Sequence, residues 1–417
     1  MRFRIFPPEE LMDVQITLPL SKSISNRALI INALTPDSTP LSKVADCDDT
    51  EAMITALSSQ NNKEVNIGAA GTAMRFLTAY FAVQPGREVT LTGSDRMCNR
   101  PIAPLVDALK SIGADISYVD KDGFPPLAIK GKSLAGGEIS IDAGVSSQYI
   151  SALMMIAPVL EKGLAITLEG DIISMPYIRM TAQIMEQYGV TVEIEGNRIT
   201  VPHSKYTPPQ NFEIEADWSA ASYWFEIQAL TCGWTTLSGL QEKSCQGDSS
   251  IVELFRELGV ETGFEKSPLQ ASLEASPDLS PRFYADLSST PDVAQTFAVT
   301  CAMLGVPFRL SGLRSLRIKE TDRIDALYRE LLKVGVVLET EGDKAISWDG
   351  VRRPVSEIPA FDTYSDHRMA LSLAPVAVFI PGIIINDAEV VTKSYPGYWD
   401  DLRKAGFNIE ECSESAE

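Results

Sequence analysis

The sequence predicts an α/β protein of two similar domains, each made of three repeated helix-and-strand units. One observation is a recurring run in which an amphipathic helix ends at Gly and a β-rich stretch follows, around Gly113, Gly189, Gly259, Gly335 and Gly406. These glycines lie about 70 to 76 residues apart, too long a period for the common solenoids. A second is the apolar helix that fills each interval, at 23–34, 72–83, 148–160, 219–230, 293–304 and 366–378. The third is the Pro-rich stretch YTPPQ ahead of 216–222, which reads as a crossover between two globules of three units each.

Taken in chain order, DDTEAMITALSSQNNKEVNIG is a weak first copy of the pattern. LVDALKSIGADISYV then sets Leu105, Leu109 and Ile112 at helical spacing before Gly113. AQIMEQYGVTVEI, VELFRELGVETGF, ALYRELLKVGVVLET and DLRKAGFNIE repeat the arrangement. Glycine just past a helix accepts the left-handed backbone that closes it, and the Val, Ile and Thr that follow favour a strand.

A chain of 417 residues with 45% apolar and 22% charged residues can bury a large core and divides into two or three domains by length. The formal charge of -20 argues against nucleic acid or an anionic membrane as partner, since both call for positive surface. It also means that any anionic substrate must be met by cations gathered locally. The cysteines (Cys47, Cys98, Cys232, Cys245, Cys301, Cys412) form no C-x-x-C pair, which points to a reducing compartment rather than disulfides or metal clusters. With only His203 and His367 a zinc site is not expected, and no metal or other cofactor is predicted. The start MRFRIFPPEELMD lacks an apolar run of signal-peptide length, and 373–385 is too short to span a bilayer and contains Pro381-Gly382. A cytoplasmic protein is expected. Gly131-Lys132-Ser133 resembles the tail of a P-loop, but Pro126 stands where its first Gly belongs.

Several apolar helices open with a polar cluster. Ser21-Lys22-Ser23 leads into ISNRALIINAL, with Arg27 one turn after Ser23 on the same face. Gly68-Ala69-Ala70-Gly71-Thr72 leads into a helix carrying Arg75; Ser146-Ser147-Gln148, Ser174-Met175-Pro176-Tyr177 and Pro291-Asp292 open three more. Helix starts offer free N–H groups and positive potential to phosphate or carboxylate, although Ser and Asp there are also ordinary caps. Lys22, Arg27 and Arg75 inside apolar helices tip the balance, because a cation facing the interior needs an anionic partner. In RIKETDR, Lys319 and Arg323 are spaced to face one way on a helix; Asp366-His367-Arg368 and VTKSYP, with Lys393, complete the set.

Together, LPLSKSISNRAL, GAAGTAMRFLTA, RMCNRPIAPLVDAL, SSQYISAL, ISMPYIRMT, PDVAQTFAV, LRIKETDRI, SDHRMALSLA and TKSYPGYWDDL resemble the 5-enolpyruvylshikimate-3-phosphate synthases, over nearly the whole chain and in that family's order. The resemblance implies two domains, 1–19 plus 222–417 and 20–221, arranged like inverse α/β barrels and closing on substrates in the cleft between them. It implies transfer of the carboxyvinyl group of phosphoenolpyruvate to the 5-hydroxyl of shikimate 3-phosphate by addition and elimination through a tetrahedral ketal. This is a step of chorismate and aromatic amino acid biosynthesis, and a monomer is expected to perform it.

Carried over by position, Ser23, Arg27, Ser146, Ser147, Gln148, Ser174 and Tyr177 bind the shikimate phosphate, and Lys319 holds its hydroxyls alongside Asp292. Gly71, Arg100, Arg323, Arg368 and Lys393 bind phosphoenolpyruvate, and Lys22 lies between the substrates. Asp292 is the expected base on the 5-hydroxyl. Glu320, with Lys22 or Lys393, is expected to move the proton at the methylene carbon, on the view that a lysine among cations sheds its proton more readily. The chain departs from the family pattern at Ala69 (Asn), Phe76 (often Pro) and Ser315 (often Asn). The rivals are the sister enzyme acting on UDP-N-acetylglucosamine, whose reactive Cys is replaced here by Asp95, a non-catalytic anion-binding homologue, and a relative of the RNA 3′-phosphate cyclases.

Overall fold

The computed structural model describes residues 1–10, 12–59, 62–142, 144, 146–170 and 172–412. Two compact units make up the chain, Met1–Leu20 with Glu215–Glu417 (unit one) and Ser21–Ile214 (unit two). Residues 413–417, which the sequence reading assigned to the first domain, lie outside the described residues. A boundary at 221/222 would cut the helix Trp218–Leu230; the division instead precedes that helix, which Asp217 caps by accepting the Ala220 N–H at 3.0 Å.

Four of the five four-stranded sheets among the described residues follow one plan, seen in Phe283–Asp286, Phe308–Ser311, Glu339–Thr340 and Ala345–Trp348. The first two strands run parallel around the crossover helix Ala294–Leu304. After a second helix, Arg323–Leu332, the last two form a hairpin whose final strand pairs antiparallel with the second. Among the described residues, three four-stranded sheets lie in unit one and two in unit two. In one of unit one's sheets, Met12–Thr17 pairs parallel with Gly233–Ser238, so the connection between them contains all of unit two. In another, Arg2–Phe6 is an inner strand, with Phe3 opposite both Ile385 and Glu411.

The third repeat of unit two keeps the helices Lys22–Leu34 and Asp48–Ser58 without a four-stranded sheet of its own among the described residues. Its connecting segment, TPDSTPLSKVADC, holds Pro36 and Pro40, which lack the N–H a ladder needs, and Asp37 takes a left-handed φ of 57°. Among the described residues the units are thus five with a complete sheet and one helix pair.

The repeated glycines behave as their sequence setting requires. Gly113, Gly189, Gly335 and Gly406 all have positive φ. After Gly189, the Val190 N–H reaches the Met185 carbonyl at 3.0 Å while the Gly189 N–H reaches that of Glu186 at 2.9 Å; the other three make the same pair of bonds. Gly259 differs, because the helix Ile251–Arg256 passes almost directly into the strand Leu258–Lys266 and the positive φ of 80° serves a bulge there. Two apolar helices are shorter than their patterns. Ser147–Ile156 and His367–Leu373 each give way to a 3₁₀ turn at Pro158 and Pro375, where the missing N–H ends regular bonding.

The crossover helices are buried on almost every face and pack against each other inside their own unit. Trp218, Trp224 and Phe225 of one helix are fully buried, and Phe297 of the next stacks on Phe283 at 5.3 Å and lies 4.8 Å from Phe255. No helix among the described residues is long and apolar enough to cross a membrane.

The closing glycines are not equally replaceable. A Cβ on Gly335 would lie 2.1 Å from the Arg353 carbonyl oxygen, whereas one on Gly113 would meet nothing within 4 Å. Gly113→Ala is expected to cost about 1 kcal/mol for its left-handed backbone alone, and Gly335→Ala at least about 2 kcal/mol more because backbone must move. Equal losses in denaturant unfolding would refute this account.

Candidate active site

In unit one the candidate groups converge on a buried guanidinium. Arg323 is the first residue of the helix Arg323–Leu332, which Asp322 caps by accepting the N–H groups of Ile324 and Asp325 at 3.1 Å. Its side chain is 2% exposed and donates to Asp366 at 2.7 Å, Asp292 at 2.8 Å and Glu320 at 2.9 Å. Burial opposes the Arg323 charge, but the three carboxylates, Asp366 foremost, more than restore it. Asp292 also lies 3.3 Å from the Lys319 ammonium and 3.5 Å from the Arg368 guanidinium. Burial alone would raise its pKa; Lys319, Arg368 and Arg323 outweigh that and hold it well below the usual carboxylate range. Glu320 reaches from Arg323 to the Lys393 ammonium, 3.1 Å away.

Arg368 follows Asp366 at the start of the helix His367–Leu373, and its own N–H donates to that carboxylate at 3.0 Å. Its guanidinium is buried and donates to the Tyr223 and Ser219 hydroxyls, each at 3.3 Å. Both belong to the helix Trp218–Leu230, one turn apart. Burial pushes the Tyr223 phenol up to about 12 despite the pull of Arg368. The Ser219 hydroxyl in turn donates to Asp248, whose carboxyl burial pushes up to about 6 against the pull of Arg368.

In unit two, Lys22 begins the helix Lys22–Leu34, which Ser21 caps, and its ammonium lies 3.3 Å from buried Asp49. Arg27, one turn on, donates to Thr181 at 2.7 Å, to the Ser23 carbonyl at 2.9 Å and to Ser151 at 3.2 Å. Its guanidinium lies 5.3 Å from the Phe76 ring and 5.7 Å from that of Tyr177. Gly71 opens the helix Gly71–Ala82, and a Cβ there would stand 2.6 Å from an Arg100 nitrogen. Arg75 donates to the carbonyls of Gly71 and Pro101 at 3.3 and 3.1 Å and to the Met97 sulfur at 3.2 Å. It thereby ties the Gly71 turn to the loop that ends in Arg100. Gln148 donates to Thr72 at 3.1 Å, joining a second helix start to the same turn.

The sequence expectations meet this geometry unevenly. Lys319 and Arg323 do face one way, but not through helical spacing: Lys319 follows a 3₁₀ turn, Arg314–Ile318, and the helix starts only at Arg323. Arg323 is buried, so KETDR is not a wholly solvated run of charge. Arg75 binds carbonyls and a thioether where an anion was expected. Lys22 and Lys393 each lie beside a carboxylate, Asp49 and Glu320. Ser21 and Ser146 make ordinary caps, to Ile24 and Gln148, while Ser174 has φ 57° and makes no side-chain cap bond. Nothing in the structure explains Ser315 in place of the family's Asn. Sequence reasoning missed Asp49, Ser151, Thr181, Ser219, Tyr223 and Asp248. Ser219 and Tyr223 share a helix face at a spacing that could have marked them, but Asp248 sits in a turn with no pattern around it.

Comparison with known proteins follows the same line. The family model described as EPSP synthase (3-phosphoshikimate 1-carboxyvinyltransferase) matches residues 8–60 and 57–402. A 3-phosphoshikimate 1-carboxyvinyltransferase of Bacteroides fragilis (strain YCH46) is 49% identical over 413 residues, covering 98% of this chain and 99% of its own. One from Methanospirillum hungatei JF-1 is 35% identical over 426 residues, covering 94% and 96%. The fold is also that of the EPSP synthase structure from Acinetobacter baumannii, with a TM-score of 0.77 at 20% identity over 98% of this chain and 100% of that one. The chain belongs to the EPSP synthase (3-phosphoshikimate 1-carboxyvinyltransferase) family.

Proposed function

We propose that this chain moves the carboxyvinyl group of phosphoenolpyruvate onto the 5-hydroxyl of shikimate 3-phosphate and releases phosphate, a step toward chorismate and the aromatic amino acids. The observation that carries the residue assignment is Asp292, a half-buried carboxylate within 3.5 Å of Lys319, Arg323 and Arg368. Such an arrangement suits anionic substrates that bring an exchangeable hydroxyl proton.

Ser23, Arg27, Ser146, Ser147, Gln148, Ser174 and Tyr177 hold the shikimate phosphate, and Lys319 with Asp292 its hydroxyls. Gly71, Arg100, Arg323, Arg368 and Lys393 hold the phosphate and carboxylate of phosphoenolpyruvate, and Lys22 serves both substrates. Guanidinium forks suit bidentate anions, and ammonium groups add point charge. In the addition step the 5-oxygen bonds to C2 of phosphoenolpyruvate, Asp292 takes the hydroxyl proton, and C3 gains a proton from the Lys393 or Lys22 ammonium by way of Glu320. In the elimination step C3 returns that proton by the same route as the C2–C3 double bond re-forms, the bond from C2 to the phosphate oxygen breaks, and the departing phosphate takes the proton held by Asp292. Because one new bond joins the two substrates, the groups of both units serve a single substrate pair.

Asp292 in the ligand-free protein is a weak base because cations surround it. Substrate anions draw on the charge of the same Lys319, Arg323 and Arg368, so binding raises its proton affinity when the proton has to move. The reaction so written needs proton transfers alone, and no cofactor is assigned. The free cysteines support a reducing, cytoplasmic setting, and the presence of every assigned group on one chain supports a working monomer.

Phosphate release from phosphoenolpyruvate is expected with shikimate 3-phosphate and not with UDP-N-acetylglucosamine; turnover with the latter alone would overturn the assignment. Asp292→Ala is expected to fold and to lose about two to four orders of magnitude in kcat, the usual cost of removing a positioned base. A near-normal kcat would remove Asp292 from the chemistry. Gly71→Ala is expected to stay folded, since only a flexible side-chain tip stands in the way. It is also expected to raise KM for phosphoenolpyruvate about tenfold or more by moving Arg100, with KM for shikimate 3-phosphate little changed. An unchanged KM for phosphoenolpyruvate would dissociate Gly71 and Arg100 from its binding.

A further inference from the structure

We propose that Asp248 is a positioning residue that acts through Ser219 to hold Arg368 in register for phosphoenolpyruvate, an inference that rests on the assignment of Arg368 above. A guanidinium can only donate hydrogen bonds, so the Ser219 oxygen, 3.3 Å from Arg368, accepts. Its single proton then needs an acceptor elsewhere, and Asp248 Oδ2 is that acceptor. With the proton so committed, the Ser219 lone pairs stay aimed at Arg368. Without Asp248 the hydroxyl is free to turn its proton toward the cation.

The setting of Asp248 suits a fixed part. It is only 4% exposed, and its other oxygen has no hydrogen-bond partner. Leaving a buried carboxyl half-satisfied is costly, so Oδ2 gives the group a purpose that its contribution to stability does not. Its turn, Gly247–Ser250, is pinned to the start of the Ser219 helix by the neighbouring Gln246. Gln246 donates to Glu215 at 2.9 Å and to the Ala216 carbonyl at 2.8 Å, and it accepts the Trp218 N–H at 3.2 Å. Asp248 and Ser219 therefore keep their relation regardless of what Arg368 binds.

The experiment compares Asp248→Ala, Asp248→Asn, Ser219→Ala and the Asp248→Ala/Ser219→Ala double variant with Arg368→Lys as reference. It reads kcat and the KM of each substrate, with melting curves to establish folding. Asp248→Ala and Ser219→Ala are each expected to raise KM for phosphoenolpyruvate about tenfold while KM for shikimate 3-phosphate stays within about twofold, and the double variant should be no worse than the poorer single one. Asp248→Asn, whose amide oxygen still accepts the Ser219 proton, should stay within about threefold of the parent. The proposal is overturned if Arg368→Lys raises KM for phosphoenolpyruvate while Ser219→Ala and Asp248→Ala leave it unchanged, or if their effects simply add. Should Asp248→Ala fail to fold, an unchanged KM in Ser219→Ala overturns it alone. If Arg368→Lys itself leaves that KM unchanged, the error lies in the assignment of Arg368, and the premise falls with it.

Discussion

The Arg323 guanidinium is gripped by Asp292, Glu320 and Asp366, and much of unit one's chemistry is arranged around the need to keep that charge satisfied out of water. A buried cation without partners costs far more than a domain's margin of stability, and removing one partner from a buried cluster leaves charge uncompensated. Each carboxylate arrives from a different place: Asp292 from a turn before one helix, Glu320 from the turn before Arg323's own helix, Asp366 from the cap of a third. Satisfying Arg323 therefore brings three helix starts together. Lys319, Arg368 and Lys393 are then held by acids that already belong to the cluster. Fold and site share one electrostatic requirement.

Unit two solves a similar problem by other means. Arg27 is directed by the hydroxyls of Thr181 and Ser151 and a backbone carbonyl, and is flanked by aromatic faces; Arg75 is directed largely by carbonyls. Neutral acceptors fix the orientation of a guanidinium at little cost to its charge. The overall charge of -20 coexists with this because acids such as Glu64, Asp115, Glu193 and Glu195 sit on exposed surface.

The fold was legible where local chemistry decides conformation. Glycines after amphipathic helices had to be left-handed, and the apolar helices were visible because they are buried all round. That the described residues of unit two form two four-stranded sheets and not three was not legible, since it depends on which segments pair. That Lys319 and Arg323 face one way could be read from their motif, though for the wrong reason. Asp248 and Asp49 could not be: a carboxylate in a turn or an acidic helix start looks solvated until the tertiary fold buries it. Phe76 lay in an apolar helix like any core residue, and only the structure brings its ring to Arg27.

The inner strand Arg2–Phe6 has a consequence for how the molecule is made. It pairs with Ile383–Asn386 on one side and Asn408–Glu411 on the other, so this strand waits for partners translated long after it. Met12–Thr17 likewise waits for Gly233–Ser238 beyond the whole of unit two. Unit two is one continuous stretch of chain and can condense as it emerges, whereas unit one cannot complete the sheet of Arg2–Phe6 until both of that strand's distant partners have been made. During that interval the apolar faces of the two early strands need shelter, which makes their exposure to chaperones, and not the reaction chemistry, the feature of this topology that a cell has to manage.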